Sequence, residues 1–160
     1  MTDNKQKELT RAFNKGITLG LYIVTVKAGN GINGMTAAWV SRVSRNPPMV
    51  MVSIGHKSYT NELIKKAGYF VVNTLAQGQQ EIGKHFGFVS GRDVDKLKDI
   101  ELIEGESGAP ILKEAMSYLE CEVSDTFITG DHTLFIGKVI NGKVLDNSKI
   151  PLLFERSDFF

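Results

Sequence analysis

Apolar positions change period several times along the chain, and each change marks an element. Residues 19–26, Leu-Gly-Leu-Tyr-Ile-Val-Thr-Val, are rich in β-branched and aromatic side chains and lead into Gly29-Asn30-Gly31, which reads as a strand entering a hairpin turn. Residues 35–43 are ambiguous by period, but Asn46-Pro47-Pro48 closes the segment. A short, nearly continuous apolar run follows at 49–54, so both segments are expected as strands of one sheet. Residues 58–68 predict a helix: a polar cap at Ser58, apolar Leu63, Ile64 and Ala67 at helical spacing, lysines in the last turn and Gly68 just beyond. A strand is expected at 69–75 and a second short helix at 77–86, with Ile82 and Phe86 on its inner side. Residues 88–108 are polar, charged and punctuated by glycine, which predicts a surface loop with one helical turn at 93–97. Two long strands are expected at 118–128 and 133–144, while the tail from Pro151 carries no clear pattern.

Strands cluster with short helices between them, without regular βαβ alternation or an internal repeat. The expected fold is mainly β, an antiparallel barrel with peripheral helices, formed as a single domain over residues 1–160. A chain of this length buries roughly 70% of its unfolded surface, enough for a sizeable core. Lys+Arg 19 against Asp+Glu 18 leaves a net charge of +1, which offers no basic stripe for a nucleic acid. The lone Cys121 has no disulfide partner within the chain and lies in a strand pattern, so an inert buried thiol is expected. Residues 1–11 are polar, no apolar run approaches the ~20 residues of a membrane span, and the default expectation is a cytoplasmic protein without a membrane partner.

Gly29, Gly31 and Gly34 spell G-x-G-x-x-G directly after an expected strand. As a dinucleotide fingerprint the motif needs a helix opening at its last glycine and an acidic residue about 20 positions on. After Gly34 the chain is short, rich in Thr, Val and Ser, and stopped by Pro47-Pro48, with no acid before Glu62. A hairpin is the better reading.

Blocks spread over the chain resemble the flavin reductase family in its order. They are Gly-Leu-Tyr-Ile-Val-Thr at 20–25, Asn-Gly-Met-Thr-Ala at 33–37, Ser-Arg-Asn-Pro-Pro at 44–48, Val-Ser-Ile at 52–54 and Val-Asn-Thr-Leu at 72–75. Phe-Gly-Phe at 86–88, Leu-Glu-Cys-Glu-Val at 119–123 and Gly-Asp-His-Thr-Leu-Phe-Ile-Gly at 130–137 complete the set. The opening block and the loop at 87–96 are most similar to the branch of ferric reductases and rubredoxin-linked flavin domains. The resemblance implies a six-stranded antiparallel Greek-key split β-barrel that forms a homodimer, with FMN, or alternatively FAD, in a groove near the subunit interface and NAD(P)H as co-substrate.

That resemblance also assigns residues. It puts Asn33, Gly34, Met35, Thr36, Ala37 and Ala38 against the flavin ring, where a backbone with little side chain can reach ring acceptors; Gly34 ending a hairpin is the plainer alternative. Trp39 would cover the ring face, although a lone tryptophan equally fits a core. The helix opening at Ser58 supplies free N–H groups for the FMN phosphate, with Thr60 adding a hydroxyl and Lys57 a cation, while Ser53 and Ile54 lie on the strand before it. His132 is the candidate catalytic contact near the nicotinamide, and His85 and Phe86 border the groove; Arg92 is a further candidate for a phosphate. His56, His85 and His132 have no metal-ligand spacing, so no metal site is expected.

The implied activity is transfer of a hydride from NAD(P)H to bound flavin, with electrons passed on to free flavin, ferric iron or a small iron protein. Two alternatives remain at this point: a flavodoxin-like electron carrier reduced by a protein partner, and a flavin-binding barrel without turnover that serves as a subunit or sensor.

Overall fold

A computed structural model describes residues 2–160. Strand β1 (Tyr22–Ala28) turns back at Gly29, whose φ of 58° is a left-handed conformation that favours glycine, into β2 (Gly31–Ala37). The hairpin expected in place of a dinucleotide fingerprint is therefore what the three glycines build. β3 (Val40–Arg45) and β4 (Pro48–Gly55) form the next antiparallel pair. Helix α2 (Tyr59–Ala67) then follows, β5 (Tyr69–Thr74), helix α3 (Gln80–Gly87), a small β6 (Leu102–Glu104) and β7 (Pro110–Leu112) pair, and the long strands β8 (Ser117–Thr129) and β9 (His132–Val144).

The main sheet has seven antiparallel strands in the order β2-β1-β5-β8-β9-β4-β3. β2 and β3 lie at its opposite edges, yet only Ala38 and Trp39 separate them in the chain. The three Cα–Cα steps from Ala37 to Val40 span at most ~11 Å, so the sheet has to curl until its edges approach at this corner. The same corner explains why seven strands stand where six were expected. The ambiguous 35–43 segment breaks at residues 38 and 39 into the end of β2 and the start of β3, instead of running through as one strand.

The barrel interior is filled by inward-facing residues at alternating positions along the strands, among them Val24, Val26, Val52, Ile54, Phe70 and Phe135. α2 closes one end with Leu63 and Ile64. Its start is fixed by the features legible in the sequence. Ser58 accepts from the Asn61 N–H at 3.4 Å, the buried Asn61 amide donates to the Ile54 carbonyl at 3.1 Å, and Gly68 ends the helix at φ 74°. A second apolar cluster, including Leu21, Ile23, Leu75, Phe86 and Leu97, joins α3 and the loop after it to the barrel's flank.

Two elements depart from expectation. Helix α1 (Asp3–Lys15) buries none of its residues, so no core-facing stripe announces it; exposed pairs such as Lys7–Asp3 at 2.6 Å support it instead. The β6–β7 pair interrupts part of the segment read as loop.

Glu120 is fully buried and, among the described residues, takes part in no ion pair. Its carboxylate accepts from the Glu106 N–H at 3.1 Å, the Ser107 N–H at 3.0 Å, the Ser107 hydroxyl at 2.7 Å and the Asn141 amide at 2.6 Å. Removal from water pushes its pKa up, but these four donors outweigh that and hold it below the ordinary 4.5. A carboxyl lowered in the folded state stabilises above its unfolded pKa and loses that contribution as pH falls through the folded value. Glu120→Gln is expected to lose ~1–3 kcal/mol at neutral pH and to flatten the acid limb below pH 4.5, read by urea denaturation across pH.

Candidate functional site

The corner that closes the sheet also builds a cavity. The Ser53 N–H donates to the Trp39 carbonyl at 3.0 Å, tying the corner to β4. Along β4, Val50, Val52 and Ile54 point into the barrel while Met51, Ser53 and Gly55 point outward. Those outward positions, together with Leu134 and His132 of β9 and Met35 to Trp39 of β2 and the corner, wall a cavity of about 670 Å³. It is mainly apolar. Trp39 lies over His132 with ring centroids 4.5 Å apart and a 34° tilt, and Phe13 of α1 meets Trp39 edge-on at 6.3 Å. His132 Nδ1 lies 2.6 Å from the Asp131 carboxylate, whose pKa is held below its usual range by that hydrogen bond.

A second, polar cavity of about 300 Å³ adjoins the first, and Met35 and Thr36 line both. Its walls are the start of α2, with Lys57, Ser58 and Thr60, and the segment from Phe86 to Gly91. Asn33 is buried between them and donates to the Thr60 hydroxyl at 2.9 Å. Gly91 lies so close that any side chain there would overlap the Asn33 amide. Lys96 forms part of this wall although the loop that carries it reads as solvated. It is 5% exposed, and its Nζ donates to the carbonyls of Phe86 at 2.8 Å and Gly34 at 3.1 Å.

The structure thus gathers most of the residues singled out in the sequence. Met35, Thr36, Ala37, Ala38, Trp39, Ser53 and His132 meet in the apolar cavity, and Asn33, Lys57, Ser58, Thr60 and Phe86 in the polar one. Gly34, Ile54 and His85 line neither. A Cβ on Gly34 would come within 2.9 Å of the Phe86 ring, so this glycine makes room for α3 and not for a ligand at its own Cα. The Ile54 side chain is wholly inside the barrel, and His85 Nε2 is 2.7 Å from the Lys96 carbonyl. Arg92 pairs with Glu62 at 2.8 Å and lies over the Tyr59 ring, outside the cavity wall. Lys96 was invisible in the sequence because its burial depends on α3 and β2 meeting across a long loop. Cys121 is fully buried, and burial with Glu120 alongside pushes its thiol up to about 12, which fits the expected inert thiol.

Residues 14–160 match the flavin reductase like domain. The chain belongs to that family. A high molecular weight rubredoxin of Moorella thermoacetica is 39% identical over 132 residues, 81% of this chain and 57% of that protein. The solved NADH:FAD oxidoreductase of Streptomyces globisporus, in complex with NAD and FAD fragments, superimposes with a TM-score of 0.84 at 31% identity, covering 97% of this chain and 92% of that one. An FMN-binding protein from Thermus thermophilus gives 0.83 at 29%, covering 92% and 87%. The chain spans only 24% to 57% of the length of the first curated relatives it matches. Among the described residues, no helix is long and apolar enough to cross a membrane.

A flavin of this family fits the residues present. An apolar slot walled by an indole and small residues lies beside a polar recess holding hydroxyls and lysines, with Met35 and Thr36 in both walls, which suits a flat ring carrying a phosphorylated tail.

Cys121 is expected to stay unmodified by a disulfide reagent in the native protein and to titrate as one thiol after denaturation. Removing residues 1–15 is expected to change unfolding free energy by less than ~1 kcal/mol, because no residue of α1 is buried and its packing is limited to contacts such as Phe13 on Trp39, while the emission of Trp39, the chain's one tryptophan, shifts red as Phe13 leaves it.

Proposed function

We propose that this domain is an NAD(P)H:flavin oxidoreductase that holds FMN across the two joined cavities and passes its electrons to free flavin, a ferric complex or a small iron protein. The observation that carries the reading is that an apolar and a polar cavity share Met35 and Thr36 as wall residues. The Moorella relative's name couples such a domain to a small iron protein, and the Streptomyces relative's names NADH as donor; both favour this assignment over a carrier without nicotinamide chemistry. FMN is preferred over FAD because the polar recess is small, at about 300 Å³, and is lined by groups suited to one phosphate.

Bound flavin supplies the capacity to accept a hydride and to release electrons singly or in pairs. The chain's own residues bind and orient. The backbone and small side chains from Met35 to Ala38 face the apolar slot, Ser53 offers a hydroxyl to it, and the α2 N-terminus with Ser58 and Lys57 faces the recess. Trp39 and His132 form a stacked wall at the cavity mouth, flat and partly apolar as a nicotinamide requires. Asp131 fixes the His132 ring from the Nδ1 side and leaves Nε2 for a ligand. Edge strands β2 and β3 meet only at one corner, and pairing with a second copy, the proposed homodimer, would cover what they leave open.

The test is spectroscopic. Protein loaded with FMN and mixed anaerobically with NADH or NADPH should lose its flavin absorbance within seconds. Persistence of the oxidised spectrum with both donors would reject the enzyme reading, and reduction by a reduced iron protein alone would leave an electron carrier. Trp39→Ala is expected to weaken flavin binding about tenfold, measured by flavin fluorescence titration.

A further inference from the structure

A third cavity, of about 670 Å³, lies between α1 and the chain's last ten residues, and Asn14, Ile17, Leu19, Phe154 and Arg156 line both it and the apolar one. Its charged lining is Arg11, Lys15 and Arg156 against Glu155, a formal +2 in a chain whose whole net charge is +1. Among the described residues, Lys15, Arg156 and Glu155 take part in no ion pair, and Arg11 only approaches Glu8 of its own helix at 3.9 Å. The Arg156 guanidinium lies over the Phe160 ring, 5.1 Å from its centroid, which orients the cation without neutralising it. The two walls are held differently. The tail is fastened to the barrel, with the Leu21 N–H donating to the Leu152 carbonyl at 3.1 Å and the Phe154 N–H to the Leu19 carbonyl at 2.8 Å, whereas α1 buries none of its residues.

We propose that this cavity takes the diphosphate of the nicotinamide dinucleotide, with Arg156 as the fixed contact and Arg11 and Lys15 closing on it from α1. The inference rests on the oxidoreductase reading above. A nicotinamide set against the Trp39–His132 wall brings its diphosphate with it, and among the described residues Arg156 is the only Lys or Arg that lines the apolar cavity. The counter-charges therefore lie next door, behind the shared wall residues. One negative charge on each phosphate matches the +2 of the lining, and a guanidinium presents its donors to phosphate oxygens in a planar fork. An anion drawing Arg11 and Lys15 inward also gives α1 a reason to settle on a body against which it buries nothing.

The full chain saturated with FMN is assayed for flavin reduction by NADH. Arg156→Met is expected to raise the KM for NADH about tenfold while kcat and FMN affinity stay within about twofold, the pattern of lost ground-state binding. Arg156→Lys, which keeps the charge and loses the fork, is expected to raise it about threefold. In the wild type, ADP-ribose, which keeps the diphosphate and lacks the nicotinamide, should compete with NADH and slow amide hydrogen exchange across α1; adenosine should do neither. An unchanged KM in Arg156→Met, a parallel loss of FMN affinity, or exchange in α1 that ADP-ribose leaves unaltered overturns the inference. Should the variant fail to fold, the wild type decides: no competition by ADP-ribose, or equal competition by adenosine, overturns it. Bound flavin that stays oxidised with both NADH and NADPH would sink the oxidoreductase reading itself, and this inference with it.

Discussion

The connection through Ala38 and Trp39 is the constraint on which the molecule's architecture turns. Two edge strands of a seven-stranded sheet are joined by two residues, so the sheet cannot lie open. Curling brings the outward face of β4 opposite the corner, and the hydrogen bond from the Ser53 N–H to the Trp39 carbonyl fastens them. The apolar cavity is the space this closure leaves on the outside of the barrel. The strand side of its wall is consequently made of residues whose strand neighbours are locked in the core, which is the arrangement that keeps a binding slot rigid.

The recess beside it has a different origin. It forms where the N-terminus of α2 faces the end of α3 and the loop beyond, with Asn33 bridging to Thr60. Gly34 and Gly91 matter because they remove bulk: one admits the Phe86 ring, the other the Asn33 amide. These close approaches bring the Lys96 ammonium under cover. Polar chemistry and apolar surface therefore meet along a single strand, β2, whose Met35 and Thr36 belong to both spaces.

Much of this was legible in the sequence because the signals were local. Ser58 and Gly68 bracket α2 by capping chemistry, the Gly29-Asn30-Gly31 turn separates β1 from β2, and the alternation of β8 and β9 shows in their apolar positions. Residues on the corner and at the helix start were found through family resemblance joined to plain chemical demands. What escaped was set at a distance. The break at residues 38 and 39 follows from the sheet's closure and not from local propensity, α1 lacks a buried face, and Lys96 looks like any loop lysine until β2 and α3 enclose it. Gly34 shows the same limit from the other side, since a bare backbone position can serve an aromatic neighbour as readily as a ligand.

Helix α1 illustrates how separately a fold can treat persistence and access. It lines the apolar cavity through Phe13 and Asn14 but adds nothing to the buried core. Substitutions along it are nearly free of thermodynamic penalty, so descendants of this chain can redesign the doorway, broadening or narrowing the range of guests admitted, without renegotiating the scaffold behind it.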